Sequence, residues 1–110
     1  MPIYKSTPIK KTNNNTIFEI SEVAIVVNTD YTTSGENAII VKGSEDITIF
    51  LDSKTTNHIT IKSMCNVLVI GDRLIDEEFN EIKLERTSSV ELLFANEFWY
   101  IMGSDGIKNS

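Results

Sequence analysis

The fold is decided by residues 57–102, which read NHITIKSMCNVLVIGDRLIDEEFNEIKLERTSSVELLFANEFWYIM. Apolar residues recur at every second position over most of this stretch, in short runs that polar turn residues separate. Side chains two positions apart lie on the same face of an extended strand, so each run predicts a half-buried β-strand. The predicted strands cover residues 58–62, 66–70, 81–85, 89–94 and 97–102.

The first half of the chain adds further strand signals. Residues 23–27 are continuously apolar and rich in β-branched side chains, which predicts a strand buried on both faces, in the core or against a partner subunit. Residues 46–51 alternate, with Ile47, Ile49 and Leu51 on one side and Thr48 and Phe50 on the other. The remaining strand candidates are residues 17–20 and 38–42. We therefore expect an all-β protein without a long helix.

These runs add up to about ten short strands with frequent turn signals. That pattern predicts a compact antiparallel sandwich or barrel-like β domain over residues 17–103. Residues 1–16 are polar and contain Pro2 and Pro8, which favour extended backbone, so they predict an N-terminal arm. Residues 104–110 are predicted to form a polar C-terminal tail.

The charge distribution bears on the kind of partner. The net charge of −6 argues against nucleic acid, because proteins that bind it need basic surface to neutralise phosphates. The exception is the N-terminal segment, where Lys5, Lys10 and Lys11 precede the first acidic residue. These lysines predict either a solvated tail or an arm that docks on an acidic neighbour.

Compartment signals point to synthesis in the cytoplasm. The single cysteine, Cys65, excludes an intrachain disulfide. Residues 1–15 lack the apolar core of a secretory signal, and no stretch approaches the roughly 20 apolar residues of a membrane span. We therefore expect no membrane partner, and either a reducing compartment or a protein that does not use disulfides.

Candidates for chemistry are few. His58 is the only histidine, and no second soft ligand stands at a spacing suited to a metal. Cys65 and His58 are residue types of a nucleophile and its base, but no third orienting group or motif accompanies them. The adjacent acids Asp76, Glu77 and Glu78 lack the spacing of a calcium loop. We expect no catalytic residue, no metal and no cofactor.

The densest aromatic group follows residue 93. Phe98 and Tyr100 share one face of their predicted strand, while Trp99 lies on the other, so both faces carry large apolar groups. One face packs the core, and the other needs a cover. Trp99 is then a core residue, a subunit contact or a platform for a sugar. Phe98, Trp99 and Tyr100, together with the three N-terminal lysines, are our predicted contact residues.

Six segments of the chain follow a recognisable order: Ile59-Thr60-Ile61-Lys62, Val69-Ile70-Gly71-Asp72, Ile75-Asp76, Ile82-Lys83-Leu84, Ser89-Val90-Glu91-Leu92 and Trp99-Tyr100-Ile101. In these segments, and over roughly half to two-thirds of the chain from about Val41 onward, the sequence resembles a small β module of bacteriophage virion proteins, of the tail-fibre and head-associated kind. Two positions depart from the module. Glu77 stands where it often has glycine after Ile-Asp, and Asn96-Glu97-Phe98 stands where it often has Asp-Gly.

The resemblance implies a non-enzymatic virion protein, made in the host cytoplasm, that assembles as a symmetric oligomer, expected to be a homotrimer. Its partners would be itself and other virion proteins such as the major capsid protein. The short chain favours a head-decoration protein or a fibre-base or minor capsid protein over a whole fibre. A carbohydrate- or receptor-binding module of a tail fibre that uses surface aromatics is the alternative. A hydrolase whose carboxylates meet only in the fold is a third hypothesis.

Overall fold

The computed structural model describes residues 3–6, 10–13, 16–19 and 22–108, with side chains over residues 23–106. This part of the chain contains eleven strands and no helix, so the all-β prediction is confirmed and no helix there could cross a membrane. The strands are β1 (Ile3–Ser6), β2 (Lys10–Asn13), β3 (Thr16–Glu19), β4 (Glu22–Val27), β5 (Tyr31–Thr32), β6 (Ala38–Val41), β7 (Ile47–Leu51), β8 (His58–Ser63), β9 (Val67–Ile75), β10 (Phe79–Ala95) and β11 (Phe98–Lys108).

The strands form a solenoid-like stack instead of the expected antiparallel sandwich or barrel. Strands β4, β6 and β8 pair in parallel and form what we call the first face. Strands β5, β7 and β9 also pair in parallel and form the second face. The chain alternates between the faces, so β4–β5, β6–β7 and β8–β9 are three successive rungs. Alternating apolar residues indicate a one-sided strand but not the direction of its neighbour, which is why the antiparallel arrangement predicted from the sequence was wrong for these rungs.

A long hairpin completes the stack. The first part of β10 pairs antiparallel with β9, and its later part pairs antiparallel with β8, so this one strand crosses both faces. Strand β11 then pairs antiparallel along β10. Residues 104–108, which we expected in a polar tail, continue β11: Asp105 lies opposite Ser89 and Ile107 opposite Leu84. Backbone pairing is available to polar residues too, and here it extends the strand beyond its apolar run.

The N-terminal residues are described only in part. The backbone of β1 pairs antiparallel with β4, and β2 pairs antiparallel with β3. Residues 1–2, 7–9, 14–15, 20–21 and 109–110 lie outside the described residues, as do the side chains before Val23. The arm that we predicted over residues 1–16 therefore stays a prediction.

The core consists of inward-facing aliphatic side chains that repeat from rung to rung. On the first face Ile25, Ile39, Ile61 and Val90 stand in register across four strands, and all are at most 3% exposed. On the second face Ile49, Val69 and Ile82 form the equivalent row, and the two faces meet in one cluster. Each such side chain stabilises the fold by about 1.5–3 kcal/mol when fully buried. β-branched residues suit these rows because they pack well on a pleated surface.

A buried hydroxyl sits at the end of one of these rows. Ser63 follows Val27 and Val41 in register and is fully buried. Its Oγ lies 2.6 Å from the carbonyl oxygen of Glu85 and accepts a hydrogen bond from the N–H of Ser88 at 3.2 Å. Strand β10 bends between these two residues on its way from one face to the other. The serine therefore satisfies the backbone at a corner where the strand ladder is interrupted.

Replacing Ser63 by alanine is expected to lower the free energy of unfolding by about 1–3 kcal/mol, because the corner backbone groups lose their buried partner. Urea denaturation followed by circular dichroism measures this. Ser44→Ala, in an exposed turn, is the matched control and should leave stability unchanged. A loss below about 0.5 kcal/mol for Ser63→Ala would show that the hydroxyl does not support the corner.

The turn between β10 and β11 explains one departure from the virion module. Asn96 and Glu97 are its two central residues, with φ of 54° and 75°, and Ala95 pairs with Phe98 across them. Positive φ at both central positions defines a type I′ turn, which matches strand twist and favours Asn-Gly. The turn thus keeps the geometry that glycine would favour, with Glu97 in the strained position. Glu77, the other departure, also has positive φ, at 61°.

Glu97→Gly is expected to raise the free energy of unfolding by about 1 kcal/mol, because glycine adopts this backbone conformation without a Cβ penalty. The substitution also removes the ion pair between Glu97 and Arg73 (2.9 Å), but both side chains are largely exposed and such pairs contribute little. Glu97→Ala is the matched control, because it removes the ion pair and keeps the Cβ. Equal stabilities of the glycine and alanine variants by thermal denaturation would contradict the turn argument.

Candidate functional site

The predicted aromatic contact residues divide between the two sides of β11. Trp99 faces inward, is fully buried and packs against Phe94, with ring centroids 5.2 Å apart. Phe98 and Tyr100 face outward and are half-buried, and their rings meet edge to face with centroids 6.4 Å apart. Trp99 is therefore a core residue of its own chain, and neither a subunit contact nor a sugar platform is open to its side chain. Of the three aromatic residues predicted as contacts, only Phe98 and Tyr100 present surface outside.

A hydrogen-bond chain holds Trp99 in place. Its indole N–H donates to Oδ1 of Asp72 at 2.9 Å. The other oxygen, Oδ2, accepts from the N–H of Ser53 at 2.9 Å and from its hydroxyl at 2.8 Å. Partial burial opposes ionisation of Asp72, but the hydrogen bonds from Trp99 and Ser53 outweigh it and hold the pKa of this carboxyl below its usual range. Asp72 thus ties the hairpin to the loop after β7.

Trp99→Phe should reduce the acid sensitivity of the fold. Because the pKa of Asp72 is lower in the folded than in the unfolded chain, its stabilising contribution is complete above the unfolded value and is lost as the pH falls. Without the indole donor the folded pKa rises, so the variant should lose less stability than the wild type between about pH 6 and pH 2. Urea denaturation followed by circular dichroism measures this. Tryptophan fluorescence cannot be used, because the substitution removes the only tryptophan.

Asp72→Asn is the companion variant for this measurement, because it removes the titrating group itself. It should reduce the loss of unfolding free energy over the same acidic pH range while leaving the indole in place. Equal losses of stability between these pH values in the wild type and in Trp99→Phe would show that the indole does not set the ionisation of Asp72.

An apolar surface stands outside this core, and we call it the hairpin patch: Leu93, Phe98, Tyr100 and Met102. Leu93 lies opposite Tyr100, and Phe98 lies next to the turn. Met102 is 58% exposed and is the extra residue of a β-bulge that shifts the register between Ile101 and Gly103. Bulges re-aim side chains at sheet edges, and here the bulge carries the exposed, flexible side chain of Met102.

Carboxylates frame the hairpin patch. Glu77 accepts a hydrogen bond from the hydroxyl of Tyr100 at 2.8 Å, and this bond raises the pKa of Tyr100. Glu97 stands in the turn beside Phe98, and Glu91 stands two residues before Leu93. The rim also contains Arg73, paired with Glu97, and His58, whose Nε2 lies 2.6 Å from Glu91. The patch is therefore an apolar centre with a mainly acidic border.

The turn that follows β9 also protects the edge of β11. The N–H of Asp76 donates to the carbonyl oxygen of Trp99 at 2.7 Å, and Oδ1 of Asp76 accepts from the N–H of Ile101 at 3.0 Å. The structure gives two of these acids, Asp76 and Glu77, specific partners on the hairpin. Within the described side chains, no three His, Cys, Asp or Glu residues are arranged to hold a metal ion.

The other predicted residues do not join this site. His58 begins β8 and Cys65 follows its end, so the length of a strand separates the thiol from the imidazole. Cys65 is partly buried against the core. The side chains of Lys5, Lys10 and Lys11 lie outside the described part of the chain. Their docking role stays a prediction.

A polar corner escaped the sequence analysis. Glu36 is only 7% exposed, and it accepts hydrogen bonds from the Tyr31 hydroxyl and, at 2.6 Å, from the N–H of Ser34. Burial, helped by the bond to Glu36, raises the pKa of Tyr31 to about 12. Thr56 accepts from the N–H of Gly35 at 2.9 Å. Every buried polar side-chain atom among the described residues has a partner, so the corner serves the fold.

No family model, no curated protein and no solved structure matches this chain.

Proposed function

We propose that the chain is a non-enzymatic structural protein of a bacteriophage virion, which assembles on the particle as a symmetric oligomer. A head-decoration protein, or a fibre-base or minor capsid protein, fits its size. The hairpin patch is the observation that carries the proposal, because it offers an outward apolar surface with a defined charge border. The sequence resemblance to the virion module, which includes β8 to β11, adds support.

The framework behind the hairpin patch suits a docking role. Leu93 follows the buried Leu92 on β10, and the anchored Trp99 lies between Phe98 and Tyr100 on β11. A rigid backbone presents side chains to a partner without a large ordering cost on binding. Aromatic residues and methionine are enriched at protein interfaces, while an exposed apolar group with a polar border is typical of an interaction site.

The charge border decides what kind of partner fits. The acids Glu77, Glu91 and Glu97 outnumber the cations Arg73 and His58 on the border, so a two-fold contact between two hairpin patches would bring together two borders of the same net negative charge. Like charges facing each other weaken association, so self-pairing through this surface is disfavoured. The patch fits a different virion protein, such as the major capsid protein, that offers an apolar surface with basic residues around it. The basic N-terminal segment would add a second attachment to an acidic neighbour.

Phe98→Lys is expected to lower attachment to the particle on the order of tenfold or more, since it places a charge in the centre of the apolar surface and opposes a basic partner. Particles produced without the chain are mixed with purified protein, and the bound fraction is measured after sedimentation. Ser44→Lys is the matched control, because it adds the same charge in an exposed turn at the opposite end of the first face. Its binding should equal that of the wild type.

Two results would count against the proposal. Absence of the chain from purified virions of the phage that encodes it, by mass spectrometry, would remove the virion role. Equal attachment of Phe98→Lys and wild type would show that the hairpin patch is not the surface that docks on the particle. Circular dichroism of both variants checks that the fold is intact.

A further inference from the structure

A second outward surface lies on the second face. Strand register aligns its outward side chains in two columns that run along the stack. One column holds Thr32, Phe50, Ile70 and Glu81, and the other holds Thr48, Leu68 and Lys83. Phe50 is 40% exposed, and Leu68 and Ile70 are half-buried. We call Phe50, Leu68, Ile70, Glu81 and Lys83 the second-face patch.

This patch differs from the hairpin patch in its charges. Glu81 and Lys83 are exposed, stand two residues apart on β10 and lie in different columns of the same rung. The centre of this surface therefore offers one acid and one base side by side, next to an apolar pair on the rung below, while the exposed acids Asp46 and Glu85 flank Leu68 and Lys83. A surface whose centre carries one acid and one base side by side can be complementary to itself under a two-fold rotation.

We propose that the second-face patch binds a second copy of this chain about a two-fold axis parallel to the stack of rungs. The inference extends the assembly role proposed above, and it names a two-fold pair where the resemblance implied a trimer. Rotation about this axis exchanges the two columns and keeps every rung level. Glu81 of each copy then faces Lys83 of the other, and Ile70 of each copy faces Leu68 of the other. The contact then contains two ion pairs, one for each charge of each copy, beside an apolar centre.

The other two-fold axis that would bring the faces together runs along the strands. It reverses the order of the rungs, so Phe50 of one copy would face Ile70 of the other. Lys83 would face the outermost rung, near Asp30, which lies beside Thr48. Glu81 would then face Thr32 and remain without a cation. The axis along the stack pairs both charges, and for that reason the geometry favours it.

The decisive experiment reverses each charge separately and then mixes the products. In Glu81→Lys both charged positions of the patch are basic, and in Lys83→Glu both are acidic. Each variant alone should self-associate more weakly than the wild type, on the order of tenfold or more, because like charges then face each other. Mixed in equal amounts, the two should form a 1:1 dimer, since every charged contact between them is attractive. Sedimentation equilibrium over a concentration series measures both effects.

Two controls accompany the mixing experiment. The double variant E81K/K83E restores opposite charges on both copies and should self-associate as the wild type does. Lys42→Glu makes the same change in net charge as Lys83→Glu at an exposed position off this face, and it should not alter association. Circular dichroism confirms that each variant folds.

A wild-type chain that stays monomeric up to about 1 mM, or that forms a closed trimer, would overturn the two-fold pairing. Failure of the two single variants to associate preferentially with each other would overturn it as well. All of these readings are made in solution without particles. They are therefore distinct from the sedimentation assay for particle attachment, in which the second-face patch is left intact.

Discussion

The register of the parallel ladders is the constraint on which the rest of the structure depends. Each rung must return the chain to the position at which its inward side chains continue the row below. Ile39 meets Ile25 and Ile61 in this way on the first face, and Val69 meets Ile49 on the second. A shift by one residue would turn every inward side chain outward, so the aliphatic rows fix the register strongly. The polar corner at Glu36 and the hydroxyl of Ser63 then satisfy the backbone where the chain leaves one face for the other.

The sequence predicted the strands better than their arrangement. Alternation located most of β6 to β11, and the continuous apolar run at residues 23–27 located β4. The sequence did not predict the rungs because their lengths differ. From Ile25 to Ile39 the chain advances 14 residues, and from Ile39 to Ile61 it advances 22. The runs ITIF (47–50) and ITIK (59–62) are similar in sequence, but they belong to strands on different faces, so the similarity does not indicate a repeat. A solenoid with unequal loops thus resembles a row of unrelated strands.

For the candidate site, the sequence predicted which way side chains point but not what they contact. Period-two alternation already separated Trp99 from Phe98 and Tyr100, and the structure shows Trp99 in the core and the other two outside. It could not reveal Asp72 as the partner of Trp99, because their contact joins residues 27 positions apart. Nor could it show that Phe50, Leu68 and Ile70 share a surface, since they come from two strands whose alignment depends on the parallel register. Local patterns give the direction of a side chain, while its neighbours come from the topology.

The edge of β11 explains why assembly in this protein would use side-chain surfaces. A long strand at the end of a stack offers unpaired backbone groups to another chain, and such edges promote uncontrolled pairing. Here Asp76 occupies the backbone groups of Trp99 and Ile101, and the bulge at Met102 interrupts the ladder. Gly106 lies at a second register shift, with φ of 80°. A Cβ added there would lie only 2.6 Å from the Ser88 hydroxyl, so the position requires glycine. With regular growth along this edge obstructed, the outward side-chain surfaces are left as the places where a partner could be selected by shape and charge. This is why our two proposals assign a different protein to the hairpin patch, with its mainly acidic border, and another copy to the second-face patch, with its central acid and base.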